Sequence, residues 1–250
     1  MGETQFLSTK QGRKLAYHRT EGKGPLVVFL GGLKSGMEGT KAVFLEEWAQ
    51  KEGRAFLRFD YSGHGESSHE FTDGCIGDWA EDAAEAVTAL TDGPIIPVGS
   101  SMGGWQALLL AKAMPERIAG MVTIAAAPDF TEDGYWANFT DAQKQALEDL
   151  GQVELPSDYM EPYIITKRMI EDGRQQLVLR DALELPCPVR FLQGTADTAV
   201  SVETAVRLLE HAEGPDMQLK LVKDADHRFS DGPCLGLILE ALEEVMEASA

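Results

Sequence analysis

The sequence predicts an α/β fold: a mostly parallel sheet with helices on both faces, an N-terminal antiparallel hairpin and an inserted helical cap. Three observations predict it. Short, continuously apolar runs such as PLVVFL (25–30) and PIIPVG recur along the chain, as strands buried on both faces require. Segments with helical periodicity separate these runs, which implies parallel strands joined by crossover helices. The alternation fails once, over about residues 130–185, and that gap is too long for an ordinary loop.

Each element follows in order. TQFLSTKQGRKLAYHRT alternates around a turn at Gln11-Gly12, the pattern of a hairpin. PLVVFL is the first buried strand. Residues 40–53 read as a helix with Gly53 as its C-terminal cap, and AFLRF (55–59) as the next strand. Residues 76–90 place Ile76, Trp79, Ala80, Ala83, Val87 and Leu90 on one helical face. A strand at PIIPVG precedes a helix over 105–114 that Pro115 stops. Residues 118–126 and 188–194 read as strands and 202–212 as a helix. The last strand is 217–223 and the closing helix 235–248. Inside the gap, YWANFTDAQKQALEDL and PYIITKRMIEDG both read as helices, with Pro156 and Pro162 between them.

Composition narrows the function classes. The 250 residues fit one α/β domain with an insertion. A net charge of −19 argues against nucleic-acid and anionic-membrane partners, both of which need a basic patch. The start of the chain lacks the charged-then-apolar order of a signal peptide, and no apolar run is long enough to span a bilayer. Cys75, Cys187 and Cys234 show neither a disulfide framework nor metal-ligand spacing, so a reducing cytosol is the expected compartment.

The chemistry centres on PIIPVGSSMGGW (94–105). Gly99-Ser100-Ser101-Met102-Gly103 matches G-x-S-x-G with Ser101 in the middle. The match carries weight because a buried strand precedes it and a helix follows. A sharp strand-to-helix turn strains the backbone at the serine and leaves no room for side chains two residues either side. Ser100 is expected to be its structural neighbour.

A serine hydroxyl needs a base, and the base an orienting acid. Of five histidines, only His211 and His227 follow Ser101. His211 falls in a predicted helix, whereas His227 lies in KDADHRFSDG, a polar loop at the end of the last strand, where sites of open α/β sheets lie. His64, in RFDYSGHGESS, reads as a structural residue beside the site. The acid is Asp197, just past the strand PVRFLQ, with Asp129 after the preceding core strand as the rival. Asp224 and Asp226 are expected to shape the His227 loop.

An oxyanion hole requires two N–H donors. Met102 supplies one, and Leu33 in GGLKSGMEGTK the other. That glycine-rich loop lacks the Gly-Lys-Ser/Thr of a phosphate-binding loop, which removes nucleotide binding. No metal or organic cofactor is called for.

In this order, FDYSGHGESS, GSSMGGW and DHRFS resemble the α/β-hydrolase family over most of the chain. More narrowly, FLGGLKSGMEGTKA, RFDYSGHGESS and VGSSMGGW are similar to the mitochondrial abhydrolase-domain acyl-protein thioesterases, a group that also hydrolyses acyl glucuronides. The resemblance implies the α/β-hydrolase fold and a serine hydrolase of esters or thioesters. It places Ser101, Asp197 and His227 in the triad and Leu33 and Met102 in the oxyanion hole. One departure stands out: Gly31-Gly32 replaces the His-Gly of many members. It also implies a bacterial relative, or a mitochondrial matrix location for a trimmed eukaryotic chain.

In the cap, Trp136, Tyr159 and Tyr163 are the expected acyl-contacting residues, and Arg168, in a local basic cluster with Lys167 and Arg174, the candidate ligand for a substrate carboxylate. The expected partner is a small-molecule or acylated-protein substrate. Two alternatives stand beside hydrolysis: the same triad serving acyl transfer or another non-hydrolytic step, and a non-catalytic ligand-binding protein of this fold.

Overall fold

The computed structural model describes residues 3–156 and 162–249. Its elements run β1 (Gln5–Ser8), β2 (Lys14–Thr20), β3 (Lys23–Leu30), α1 (Thr40–Glu52), β4 (Arg54–Phe59), α2 (Ile76–Leu90), β5 (Ile95–Ser100), α3 (Met102–Ala113) and β6 (Met121–Ile124). There follow α4 (Asp141–Leu150), β7 (Gln152–Leu155), β8 (Tyr163–Thr166), α5 (Lys167–Gly173), β9 (Leu183–Glu184), β10 (Pro188–Gly194), α6 (Val202–His211), β11 (Ala212–Glu213), β12 (Asp216–Val222) and α7 (Gly232–Ala248).

Eight strands form the main sheet in the order β1-β2-β4-β3-β5-β6-β10-β12. The hairpin β1/β2 and the β2/β4 pair are antiparallel, and every pair beyond them is parallel. Alternation along β3 shows how the sheet is covered. Leu26, Val28 and Leu30 join Trp79 and Ala83 of α2, Trp105 and Leu108 of α3 and Leu208 of α6. Val27 and Phe29 join Ala42 and Leu45 of α1 and Ile238 and Leu242 of α7. Strands buried on both faces need apolar residues at every position, and β5 is buried along its whole length.

This order positions the site. From β3 the chain leaves through α1 on one face, and from the adjacent β5 through α3 on the other. The two connections diverge and open a crevice at the carboxyl ends of β3 and β5, the switch point where ligands of open α/β sheets bind.

Most expected elements are present. Gly53 ends α1 in the left-handed region at φ 63°, as its reading as a cap requires. Three segments differ. The helix after Ser101 begins at Met102 rather than at Trp105. In the insertion, Tyr163-Ile164-Ile165-Thr166 is a strand, not the start of a helix. It pairs antiparallel with β7, Val153 opposite Ile165. The β-branched run favours the extended state, and burial of Val153 and Ile165 fixes the register. The helix starts only at Lys167, where the Thr166 hydroxyl accepts from the Met169 N–H at 3.1 Å.

The first insertion helix is also broken. Phe130–Trp136 is a π-helical turn, and α4 restarts at Asp141 behind a capping box of Thr140 and Gln143. Asp129 anchors the start of the insertion to its return. It is fully buried at φ 57°. Its carboxylate accepts from the Val178 N–H (2.8 Å), the Leu179 N–H (3.0 Å) and the Arg180 guanidinium (3.2 Å). Burial raises its pKa against the pull of those N–H groups. Asp129→Ala orphans two buried N–H donors, each worth about 1–3 kcal/mol. Urea denaturation should therefore show a loss of about 2–6 kcal/mol.

Candidate active site

Ser101 sits at the turn from β5 into α3 with φ 56° and ψ −119°, a conformation that non-glycine residues rarely adopt. Crowding enforces the sequence around it. A Cβ on Gly99 would lie 2.2 Å from the Gly103 carbonyl oxygen, and one on Gly103 would lie 2.0 Å from the Leu30 carbonyl oxygen. Both distances are far below contact, so the glycines let β3, β5 and α3 close on one another. Ser100 is buried as the last residue of β5, opposite Ile124 of β6.

His227 and Asp197 reach Ser101 from the far side of the sheet. The Ser101 Oγ lies 3.0 Å from His227 Nε2, and His227 Nδ1 lies 2.8 Å from Asp197 Oδ2. The Asp197 side chain is fully buried, while His227 is 28% exposed and Ser101 half-buried. The relay thus ends in a desolvated carboxylate and opens toward the crevice.

Asp197 is held on every side. Its Oδ1 accepts from the Ala199 and Val200 N–H groups, each at 2.8 Å, and its Oδ2 also accepts from Gln193 Nε2 at 3.0 Å. Burial alone would raise its pKa, but the bonds from His227, Val200 and Ala199 outweigh it and hold the carboxyl below the usual range. It is therefore ionised whenever His227 needs an anionic partner. Gln193 was not foreseen from sequence. It is fully buried and also donates to the Val200 carbonyl, and the one signal for it is a polar residue next to the end of a buried strand that also carries Arg190.

The rival acid is elsewhere. Asp129 turns its carboxylate to the return of the insertion, not to His227. Asp224 and Asp226 shape the histidine loop: Asp224 takes φ 61°, and Asp226 accepts from the Phe229 N–H at 3.0 Å. His211 lies at the end of α6, its Nε2 2.8 Å from the Asp181 carbonyl. His64 is buried edge-on against Tyr61, Phe71 and Trp79. Burial first, and then the charge of Lys34, take its pKa down to about 4 despite a bond to the Ser62 carbonyl, so it is neutral and part of the packing.

The loop after β3 closes the site from the other side. A Cβ on Gly32 would lie 3.4 Å from the Ser101 Cβ, which puts Leu33 one residue from the nucleophilic turn. Met102 is the first residue of α3, where backbone N–H groups have no intrahelical partner.

Of the cap residues, Trp136 is half-buried between the Arg174 guanidinium (4.5 Å from its ring centre) and Lys144 (5.1 Å). Tyr163 is half-buried under Lys34 at 5.5 Å. Arg168 is bound to Asp78 of α2 at 2.7 Å and donates to the Asp73 carbonyl. Its neighbours Lys167 and Arg174 pair with Glu148 and Glu132. Tyr159 lies outside the described residues.

Known proteins resemble this chain in sequence and fold. Residues 24–159 match the family model for the alpha/beta hydrolase fold. The chain is 34% identical over 244 residues to palmitoyl-protein thioesterase ABHD10, mitochondrial, from Mus musculus, covering 97% of this chain and 82% of that protein. A putative hydrolase from Agrobacterium vitis superposes with a TM-score of 0.93 at 36% identity, over 98% of both chains. The structure of mouse alpha/beta hydrolase domain-containing protein 10 gives 0.92 at 32% identity, over the whole of both chains. The elbow glycines, the crevice at the β3/β5 switch and these likenesses agree: the chain belongs to the α/β-hydrolase family.

Proposed function

We propose that this protein is a serine hydrolase of carboxylic esters or thioesters, working through an acyl-enzyme. The observation that carries this is the chain of contacts Ser101 Oγ–His227 Nε2–His227 Nδ1–Asp197 Oδ2, at 3.0 and 2.8 Å. A lone serine hydroxyl does not attack a carbonyl at neutral pH, but one bonded to an oriented imidazole does.

In the first half-reaction Ser101 Oγ attacks the carbonyl carbon as His227 Nε2 takes its proton. The oxyanion is held by the N–H groups of Leu33 and Met102. His227 then returns the proton to the leaving oxygen or sulfur, and the acyl group stays on Ser101. In the second half, water gives its proton to His227 and attacks the acyl carbon, and the proton returns to Ser101. Asp197 fixes the imidazole tautomer and stabilises the imidazolium without itself taking the proton.

The acyl group is proposed to contact Trp136, Tyr163 and Tyr159 of the cap. With Arg168 committed to Asp78, the two half-buried rings are the stronger candidates of the described set. The thioesterase names of the ABHD10 relatives support a thioester, including one on an acylated protein, as the substrate. The same names carry a mitochondrial label, which supports a mitochondrial home rather than the cytosol expected from the cysteines. Among the described residues no helix is long and apolar enough to cross a membrane.

A panel of ester and thioester chain lengths, with an acyl glucuronide, tests the reading. Ser101→Ala should lower turnover by about 10⁴–10⁶ on every responsive substrate, and undiminished turnover in that variant would end the proposal. The acid has a separate test. Asp197→Asn should reduce kcat by about 10⁴, while Asp129→Asn should leave kcat within about threefold in enzyme that has folded, since its carboxylate faces away from His227. The reverse ranking would move the acid to Asp129.

A further inference from the structure

Lys41 is the second residue of α1, in the GTKA stretch after the β3 loop. Its ammonium donates to the Arg228 carbonyl at 2.5 Å and reaches the Ser230 hydroxyl at 3.3 Å. Ser230 itself donates to the same carbonyl at 2.8 Å. The bonded carbonyl belongs to the residue directly after His227. The loop so held is strained, since Asp224 and Phe229 both take positive φ, at 61° and 49°. Such backbone persists only where its surroundings over-determine it. Asp226 holds the Phe229 N–H, and the Phe229 side chain is buried in the core beneath α1 and α7.

Nothing about α1 itself calls for a cation there. A positive charge in the first turn of a helix opposes the macrodipole, and α1 has no acidic residue in its first turn to offset it. Resting on the hydrolase reading above, we propose that Lys41 is the positioning residue for His227: its ammonium fixes the Arg228 peptide so that the imidazole spans Ser101 and Asp197.

Burial lowers the Lys41 pKa to about 8, against the pull of Asp226. The charged and titratable groups facing it are Asp226 and Arg228 of the histidine loop and Cys234 of α7. The sign follows from linkage. Between pH 8 and the ordinary lysine value of 10.5 the unfolded chain binds the extra proton, so stability rises with pH there. Below that window the charge is held against stability. Its loss above about pH 8 weakens a charge-assisted bond to a neutral one. A group kept charged at a cost to the fold serves the loop, not the core.

The test is steady-state kinetics from pH 6 to 10, on an ester whose turnover depends on Ser101, with thermal melts of each variant. Lys41→Met should lower kcat at pH 7 by about 10–100-fold, with KM within about twofold and no fall in Tm. Wild-type kcat should decline above about pH 8 toward the Lys41→Met level. Lys41→Arg, which stays charged across this range, should keep kcat within about threefold and lose the decline. Unchanged kcat in Lys41→Met overturns the proposal, and so does an alkaline decline that keeps its midpoint in Lys41→Arg. Should Lys41→Met not fold, the Lys41→Arg profile decides alone. Undiminished turnover in Ser101→Ala overturns the hydrolase reading itself, and is told apart because it does not involve Lys41.

Discussion

Where β3 ends, the Leu30 carbonyl presses against the Cα of Gly103 so closely that no side chain fits between them. That contact, with its counterpart between Gly99 and the Gly103 carbonyl, is what the site depends on. It draws α3 into the switch point between β3 and β5 and holds Ser101 at φ 56°. A backbone held there costs on the order of 1–3 kcal/mol, a sizeable part of a typical domain's 5–15. The strain survives because β5 and β6 are buried throughout and the Ser101 N–H is tied to the Ile124 carbonyl at 2.9 Å. The Ser101 turn is therefore a property of the sheet order as much as of the serine.

The three parts of the relay are fixed by three different forces. Sterics set Ser101. Hydrogen bonds set Asp197, which receives two N–H groups and the Gln193 amide before it meets His227. His227 lies in a polar loop with no regular element to stiffen it, and the loop depends on a buried Phe229 plug and on the Lys41 clamp. Asp197 is thus held by residues two to four positions away and Ser101 by the meeting of β3, β5 and α3, whereas the His227 loop is tied at Arg228 to Lys41, 187 positions away. This division also shows how a chain of net charge −19 places one carboxylate where it is useful: Asp197 is distinguished by desolvation and aimed donors, not by the surrounding field.

The sheet and its flanking helices were legible in the sequence because each element buries a continuous or periodic apolar face, as in PLVVFL and in the α2 face of Ile76, Trp79 and Ala83. The reading of Ser101, His227 and Asp197 rests on motif and chain order, and the three side chains meet in one hydrogen-bonded chain. The insertion was read less well. Tyr163–Thr166 becomes a strand because β7 is present to pair with it, and that pairing spans a gap that local periodicity does not report. Asp197 and Asp129 differ in where each carboxylate points, and the direction of Asp129 depends on the return of the chain at Val178 and Leu179. Lys41 acts across the fold and leaves no local pattern, whereas Gln193 bonds Asp197 only four residues away and shows in the sequence only as a polar residue within a strand.

The cap is held by different means from the sheet, and this bears on what it can select. Its ion pairs, such as Arg174–Glu132 and Lys167–Glu148, are part-exposed and screened by solvent, so they add little. Its position rests instead on the Asp129 anchor and on an aromatic chain from the nucleophile helix outward. Trp105 of α3 meets Phe130 at 5.5 Å, Phe130 meets Tyr135 at 5.3 Å, and Tyr135 stacks on Phe139 at 6.1 Å. Rings engaged in that chain hold the cap to the catalytic helix and are not free to shape a pocket. Trp136 and Tyr163 stand outside it, half-buried and faced by cations. Substitutions in the aromatic chain should therefore loosen the cap as a whole, whereas, on the acyl contacts proposed above, changes at Trp136 and Tyr163 should alter acyl preference.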